Sequence, residues 1–86
     1  MKPQELQNSK ERREEKIEFA KYFGSYLKKV RISKGLSQEN LSIYAGFYRT
    51  YVGKIEAGKY SPSLHTIWRL IHTLGMDMAE FFKGLK

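Results

Sequence analysis

The chain has 86 residues, a formal net charge of +7 and no cysteine, which suits one small domain and excludes disulfides and thiolate chemistry. It has no apolar run near the ~18 residues that a membrane span needs and no apolar signal-peptide core at its amino terminus. We therefore expect a cytoplasmic protein that does not enter a membrane. Residues 17–86 carry eleven basic and five acidic side chains, an excess that favours solubility or a polyanionic partner, nucleic acid before an anionic membrane.

The first predicted helix covers residues 9–34, which contain no proline. Its apolar residues recur at the three-or-four spacing of one helical face and are Ile17, Phe19, Phe23, Leu27 and Val30. Gly35 is a natural left-handed stop. Residues 1–16 hold five basic and four acidic side chains and, after Met1, only Leu6 as a sizeable apolar residue. We therefore divide the chain into a charged extension, residues 1–16, either frayed or helical, and a domain, residues 17–86.

Two short helices are predicted next. Ser37 can cap the second helix, with Glu39 in its first turn favouring the positive end of the helix dipole, and Gly46 ends it. The third helix is predicted over residues 49–57 and is closed by Gly58.

Two further helices are predicted after the loop that follows Gly58. Ser61 is predicted to cap the fourth helix, with Pro62 in its first turn. The apolar stripe of that helix comprises Leu64, Ile67, Trp68, Leu70, Ile71 and Leu74. Asp77 and Glu80 form a capping-box pattern at the start of a fifth helix. Since no segment alternates with period two, the fold class is all-α with five helices.

The second and third predicted helices have the spacing of a helix-turn-helix. Counted from Gln38, glycine occupies the ninth place, and small or apolar residues occupy six others: Leu41, Ser42, Ala45, Phe47, Val52 and Ile55. Ser42 must be small because the third helix crosses closely over it, and Gly46 can adopt the positive φ of a sharp turn. The narrow apolar seam leaves the polar side of the third helix facing outward. In helix-turn-helix geometry that side enters the DNA major groove.

At this point the sequence resembles the Xre/Cro/C1-type helix-turn-helix family of phage repressors and bacterial regulators. The matching segments, in the family's order and spacing, are LKKVRISKGLSQENLS, AGFYRTYVGKIEAGKYSPSL and WRLIHTLGMDMAEFF. Within the family, RTYV in the recognition helix and the small size resemble the controller proteins of restriction–modification systems. The resemblance implies a lambda-repressor-like domain preceded by a helical or disordered extension.

The resemblance also implies which residues contact DNA. Arg49, Thr50, Tyr51 and Lys54 match outward positions that meet base edges and adjacent phosphates, and Gln38 matches a phosphate contact that steadies the recognition helix. The whole DNA-binding set comprises Gln38, Tyr48, Arg49, Thr50, Tyr51, Lys54, Lys59, Tyr60 and Ser63, of which the last three match backbone contacts in a loop. Arg31 and Glu56 match an ion pair that ties the first helix to the end of the third.

The chemistry of these residues agrees with the resemblance. Arg49 has the planar fork that pairs with guanine O6 and N7, and Lys54 suits guanine or a phosphate. Thr50 can bond a base or phosphate or offer its methyl group to thymine, and Gly53 would allow close approach to DNA. The chain departs from the family at Tyr48, where Ser or Thr usually caps the recognition helix. It also departs at Ser42, where a usual Ala is replaced by a residue whose hydroxyl needs a partner.

Dimerisation is expected because one short recognition helix offers few base contacts. A two-fold axis would place two copies about 34 Å apart along the DNA. The candidate interface residues are Leu74, Met78, Phe81, Phe82 and Leu85. Trp68, Phe81 and Phe82 are interpreted as core residues, although adjacent phenylalanines point about 100° apart on a helix, so that one can face a partner.

Neither a cofactor, nor a metal site, nor an enzymatic activity is predicted. His65 and His72 have no carboxylate or thiol at ligand spacing and are interpreted as ordinary histidines. The sequence thus predicts a DNA-binding transcription regulator that acts as a homodimer on a palindromic operator. The alternative is a protein-interaction module, such as an antitoxin or an anti-repressor partner. The unexplained extension favours this alternative, and the basic excess disfavours it.

Overall fold

The computed structural model describes residues 9–85, which form five α-helices and no strand. The helices are α1 (Ser9–Ser33), α2 (Gln38–Tyr44), α3 (Tyr51–Glu56), α4 (Leu64–Thr73) and α5 (Met78–Lys83). The predicted all-α, five-helix class is confirmed. Residues 1–8 of the extension and residue 86 lie outside the described residues, and residues 9–16 continue α1 without a break. No helix within residues 9–85 is long and apolar enough to cross a membrane.

Several helix ends form where the local sequence predicts them. The Ser37 hydroxyl accepts a hydrogen bond from the Asn40 amide at 3.0 Å, which caps α2. The Asp77 carboxylate accepts one from the Glu80 amide at 2.7 Å, which caps α5. Gly46 has φ of +89° directly after α2, a conformation that side chains other than glycine rarely adopt.

The start of α4 differs from the prediction. Ser63, not Ser61, is the N-cap: its backbone is extended and its hydroxyl accepts from the Thr66 amide at 3.1 Å. Pro62 therefore lies before the helix rather than in its first turn. Both serines carry a hydroxyl that can cap, and the packing of α4 decides between them.

The core is built from the inward faces of all five helices. Its buried members are Phe23, Leu27, Val30, Leu41, Ala45, Val52, Ile55, Leu70, Ile71, Leu74 and Phe81. The interpretation of Trp68 as a core residue is wrong, because its side chain is 44% exposed and stacks on His72 with ring centroids 4.5 Å apart. The apolar stripe of α4 is wider than the surface that this small domain offers for burial, so one edge of it remains outside. Phe81 is fully buried, and Phe82 packs at the edge of the core.

Gly24 allows α1 to cross close to the end of α3. A Cβ atom at this position would lie 2.8 Å from the Glu56 carbonyl oxygen and would also meet the carbonyl oxygen of Ile55. Both neighbours are backbone atoms of α3, which cannot move aside cheaply. The glycine that interrupts α1 in the sequence is therefore the point where α1 supports the helix-turn-helix.

Candidate DNA-binding interface

The helix-turn-helix consists of α2, the turn at Gly46 and α3, and α3 is held by a narrow seam. Val52 and Ile55 of α3 are fully buried against the core, as is Leu41 of α2. The chain makes the turn with a hydrogen bond from the Phe47 amide to the Ser42 carbonyl oxygen at 2.9 Å. Only two of the six residues of α3 are buried, so the rest of the helix surface remains available.

The first turn of α3 is capped from α2. Neither Tyr48 nor Thr50 supplies a side-chain cap, and the backbone of Thr50 does not have an extended cap conformation. Instead, the Val52 amide donates to the Ser42 hydroxyl at 3.0 Å, and this hydroxyl donates to the Gln38 carbonyl oxygen at 2.8 Å. The two departures from the family pattern are therefore connected. The Ser42 hydroxyl finds its partners, and α3 receives an acceptor for one of its first amides.

The start of α3 is shifted relative to the sequence prediction. Arg49 and Thr50 form a turn that precedes the first α-helical residue, Tyr51. The Tyr51 amide donates to the Tyr48 carbonyl oxygen at 3.0 Å, so residues 48–51 form a hydrogen-bonded turn that leads into the helix. Arg49 and Thr50 are exposed and make no side-chain hydrogen bond within residues 9–85. Both side chains are therefore available to a ligand. They lie at the amino-terminal end of α3, the end that a helix-turn-helix directs into the DNA major groove.

A buried ion pair joins α1 to the end of α3, as the resemblance implies. Arg31 Nε lies 2.7 Å from one carboxylate oxygen of Glu56, and its terminal nitrogen donates to the other oxygen at 3.0 Å. A third guanidinium hydrogen bond reaches the Leu36 carbonyl oxygen at 2.7 Å. The two side chains are 9% and 3% exposed, so the pair is desolvated and bidentate. These hydrogen bonds fix three elements relative to one another: α1, α3, and the segment that precedes α2.

Gln38 extends this network across the front of the helix-turn-helix. Its side-chain nitrogen donates to a Glu56 carboxylate oxygen at 2.9 Å. A Cβ atom at Gly53 would lie 3.0 Å from the side-chain oxygen of Gln38. Gly53 therefore accommodates Gln38 within the protein, a role that sequence reasoning did not assign. Gln38 steadies α3 through Glu56 and remains exposed.

An aromatic cluster surrounds Lys54 on the outer side of α3. The Tyr51 ring packs against Tyr48, Tyr60 and Phe47, with centroid distances of 5.3, 5.7 and 4.6 Å respectively. The Lys54 ammonium lies 5.2 Å from the centre of the Tyr48 ring and 5.9 Å from that of Tyr60. Cation–π attraction therefore restrains a flexible cation at the candidate interface.

The hydroxyls of Tyr48 and Tyr60 are linked at the rim of this cluster. Tyr48 donates to Tyr60 at 3.2 Å. This hydrogen bond raises the pKa of Tyr48 to about 12 and lowers the pKa of Tyr60, and the positive charge of Lys54 lowers the latter further. Tyr60 belongs to the loop after α3, so the bond ties that loop to the beginning of the recognition helix.

Arg69 supports the turn of the helix-turn-helix and was missed by sequence reasoning. Its Nε donates to the Ala45 carbonyl oxygen at the end of α2 at 2.8 Å, and its guanidinium carbon lies 5.9 Å from the centre of the Phe47 ring. A cation at a helix C-terminus is favourable because the last carbonyls lack partners. Arg69 lies on α4, 24 residues from its acceptor, and no local pattern marks such a contact.

The remaining predicted residues divide between free and occupied surfaces. Lys59 and Tyr60 are exposed in the loop after α3. The Ser63 hydroxyl is engaged as the cap of α4 and also donates to the Thr66 hydroxyl at 3.1 Å.

Of the five candidate interface residues, Leu74 and Phe81 are buried in this chain's own core. Exposed area remains on Met78, Phe82 and Leu85. In the described part of the chain, no three His, Cys, Asp or Glu residues lie close enough to hold a metal ion.

Comparison with protein-family models finds the helix-turn-helix model HTH_3, which matches residues 27–81. These residues include α2, the turn, α3 and most of the scaffold. The chain belongs to the helix-turn-helix family. The relatives that the comparisons find are named as transcriptional regulators and a control protein, and the chain spans 57% of the length of one of them, YonR.

The similar proteins include prophage regulators and controller proteins. The chain is 42% identical over 62 residues to the SPbeta prophage-derived HTH-type transcriptional regulator YonR of Bacillus subtilis, covering 72% of this chain and 57% of that protein. It is 35% identical over 63 residues to the control protein C.BamHI of Bacillus amyloliquefaciens, covering 69% of this chain and 78% of that protein.

A solved structure also resembles the chain. The crystal structure of the restriction–modification controller protein C.AhdI from Aeromonas hydrophila matches with a TM-score of 0.71 and 38% identity. The match covers 77% of this chain and 96% of that one. The chain thus contains nearly the whole of the controller-protein fold, together with additional residues.

Proposed function

We propose that the protein is a sequence-specific regulator that binds a palindromic operator as a homodimer and controls the genes of a restriction–modification system. The observation that carries this proposal is the exposed, unbonded Arg49 and Thr50 in the turn that leads into α3, next to the restrained Lys54 of α3. Such a surface suits base reading, because the side chains are free while their backbone is preorganised. Cytoplasmic DNA is the proposed target.

Each outward residue has a chemical partner in the major groove. Arg49 can donate two parallel hydrogen bonds to guanine O6 and N7, and Thr50 can contact a base, a phosphate or the thymine methyl group. Lys54 approaches from the tyrosine cluster, where it can reach guanine or an adjacent phosphate. Tyr51 is half-buried in that cluster, so its hydroxyl is the part that we expect at the DNA.

The remaining residues of the set suit phosphate contacts, which position the protein without reading sequence. Gln38 stands at the exposed start of α2, and Lys59 and Tyr60 occupy the loop that follows α3. Ser63 caps α4, so a phosphate contact there would use the same helix terminus. We propose that these four residues bind phosphates of the DNA backbone and thereby orient α3 in the groove.

The homodimer is supported by the size of the recognition surface. α3 has six residues, and one copy can read only a few base pairs. A second copy related by a two-fold axis would double the contacts at half-sites about 34 Å apart. Met78, Phe82 and Leu85 offer exposed apolar area near the end of the chain, and we propose them as the parts of the expected interface that meet the partner.

The role in restriction–modification control is supported by two relatives of nearly the same extent, C.BamHI and C.AhdI. The similarity to a prophage regulator leaves a phage operator as the competing target. The position of the bound operator, upstream of a methyltransferase and endonuclease pair or of phage genes, distinguishes these two targets.

The decisive experiment is selection of bound sequences from a random duplex pool at about 150 mM salt. We expect an enriched palindrome whose half-sites are one DNA turn apart. Retention of DNA without enrichment would refute sequence-specific reading. If no DNA is retained, the protein-interaction alternative is favoured.

Two variants separate base reading from backbone binding. Arg49→Ala should cost about 1–3 kcal/mol on the operator and relax the preference at one base position. Lys59→Ala should weaken binding to operator and random duplex alike and reduce the salt slope by about one unit. If both variants lost affinity equally for specific and random DNA, the assignment of base reading to Arg49 would be wrong.

A further inference from the structure

The amino-terminal half of α1 projects from the domain with its charges sorted by sign. Residues 9–19 are all exposed, and burial begins at Ala20. At 100° per residue, the acidic side chains of residues 10–21 fall within about 100° of the helix circumference. The acidic residues are Glu11, Glu14, Glu15 and Glu18, and the basic residues on the remaining side are Lys10, Arg12, Arg13, Lys16 and Lys21.

The cations of this segment continue the face that α1 buries further along. Lys16 lies four residues before Ala20, and Arg12 and Arg13 lie one turn before Lys16, so the three share the side of Ala20, Phe23 and Leu27. We call Arg12, Arg13 and Lys16 the basic face. With Ser9 they line one shallow, open concavity. The positive side of this segment therefore points in the same direction as the face that α1 buries in the domain, and the negative side points in the opposite direction.

Sorting of charge by sign weakens a helix that stands alone. Arg12 and Lys16 are four residues apart and repel each other, as do Glu14 and Glu18 on the opposite side. A helix stabilised by its own surface would alternate the signs at this spacing. The arrangement therefore suits a polyanion on the basic face.

The position of the basic face relates it to the DNA-reading helix. Gly24 of α1 lies against the end of α3, and a Cβ atom at Gly58, in the following loop, would lie 3.2 Å from the Cα atom of Lys21. Continuing towards the amino terminus, α1 passes beyond this loop. Measured from Lys21, Lys16 and Arg13 lie about 7.5 and 12 Å further along the helix axis, at 1.5 Å per residue. The loop also carries Lys59, a proposed phosphate contact.

We propose that the basic face binds the phosphates of DNA flanking the half-site that α3 reads. From Arg12 to Lys16 the basic face spans about 6 Å of the helix axis, at 1.5 Å per residue, and the duplex presents about one phosphate per 1.7 Å when both strands are counted. Three cations can therefore meet about three phosphates. This inference rests on the DNA-binding role proposed above and extends its footprint outward from the operator.

A second copy of the chain fits the basic face less well. If the two-fold axis of a dimer ran beside the basic face, the face would meet its own copy, and the cations of the two copies would repel each other. Contact between the basic face of one copy and the acidic side of another is heterologous and does not close under a two-fold axis. Charge complementarity thus favours DNA.

The test compares two duplexes that carry the selected operator. The short duplex ends two base pairs outside each half-site, and the long one adds eight base pairs of random sequence on each side. We expect the protein to bind the long duplex more tightly. Three phosphate contacts steepen the salt slope by about 2.7 units for each protomer, so this gain should fall about 40-fold per protomer between 50 and 200 mM salt.

The variant R12Q/R13Q/K16Q should lose the gain from the flanks and still bind the short duplex. Glutamine is a good helix former, so α1 should persist, which circular dichroism checks. The matched control K28Q/K29Q/K83Q removes the same charge from other exposed lysines and should keep the gain. A general effect of net charge would lower the gain from the flanks in both variants, and that result would contradict the inference.

Four other outcomes would overturn the inference. If the wild type gained nothing from the flanks, or if both variants kept the gain, the basic face would not contact DNA. If the wild type failed to bind even the short duplex, the proposed function would fail, and this inference with it. A dimer constant that changes for R12Q/R13Q/K16Q without DNA, with the flank gain intact, would assign the face to a second copy.

Discussion

Replacing Ser42 with alanine tests whether α2 caps the recognition helix. The Ser42 side chain is fully buried, and its hydroxyl is the acceptor for the buried Val52 amide. Ser42→Ala leaves this amide without that acceptor, which costs about 1–3 kcal/mol for a buried donor. Alanine recovers a few tenths of a kcal/mol as the better helix former. The hydrogen bond from Ser42 to the Gln38 carbonyl oxygen is also lost, but that carbonyl still receives an amide bond within the helix.

The expected net destabilisation is about 1–2 kcal/mol, within the ~0.5–2 kcal/mol range of N-cap losses. For a domain of this size it corresponds to a fall in Tm of about 4–16 °C. Urea unfolding followed by circular dichroism, at one fixed protein concentration because a dimer would add to stability, measures the change. The matched control is Ser25→Ala, at an exposed position of α1, which should leave stability unchanged or slightly raised.

Amide hydrogen exchange locates the effect. The Val52 amide should exchange faster in Ser42→Ala, while amides near Ser25 are unaffected. Binding to the operator should weaken further than the stability loss alone explains, because the first turn of α3 carries Tyr51 and directs Arg49. If Ser42→Ala unfolded with the same midpoint as the wild type, the cross-helix cap would contribute nothing and the reasoning would be refuted.

Three further substitutions test the support around α3. Glu56→Ala should cost about 3–5 kcal/mol because it leaves the Arg31 charge buried and unpaired, and the double variant Arg31→Met/Glu56→Leu should recover most of this loss in urea unfolding. Gly24→Ala should destabilise by about 1–3 kcal/mol through overpacking against α3, and an unchanged midpoint would contradict the close crossing. Tyr60→Phe should return the Tyr48 pKa from about 12 towards its usual 10, measured by ultraviolet absorbance titration, and an unshifted curve would exclude the hydrogen bond.

The sequence alone determined the number and approximate extent of the helices. Their ends depend on local signals, such as the cap of Ser37 on Asn40 and the positive φ of Gly46, that act within a few residues. The spacing from Gln38 to Ile55 was sufficient for the helix-turn-helix, because small and apolar residues must occupy the seam of that motif whatever surrounds it. The Arg31–Glu56 pair came from the resemblance rather than from spacing.

The tertiary structure decided the features that depend on how the helices cross. Ser42 caps Val52 across ten residues and Arg69 holds Ala45 across 24, and neither partner can be chosen before the helices are placed. Trp68 is exposed because the small core has no room for the whole stripe of α4. Ser63 rather than Ser61 caps α4 because packing selects the first turn. A sequence records which groups can bond, and only the assembled fold determines which of them meet.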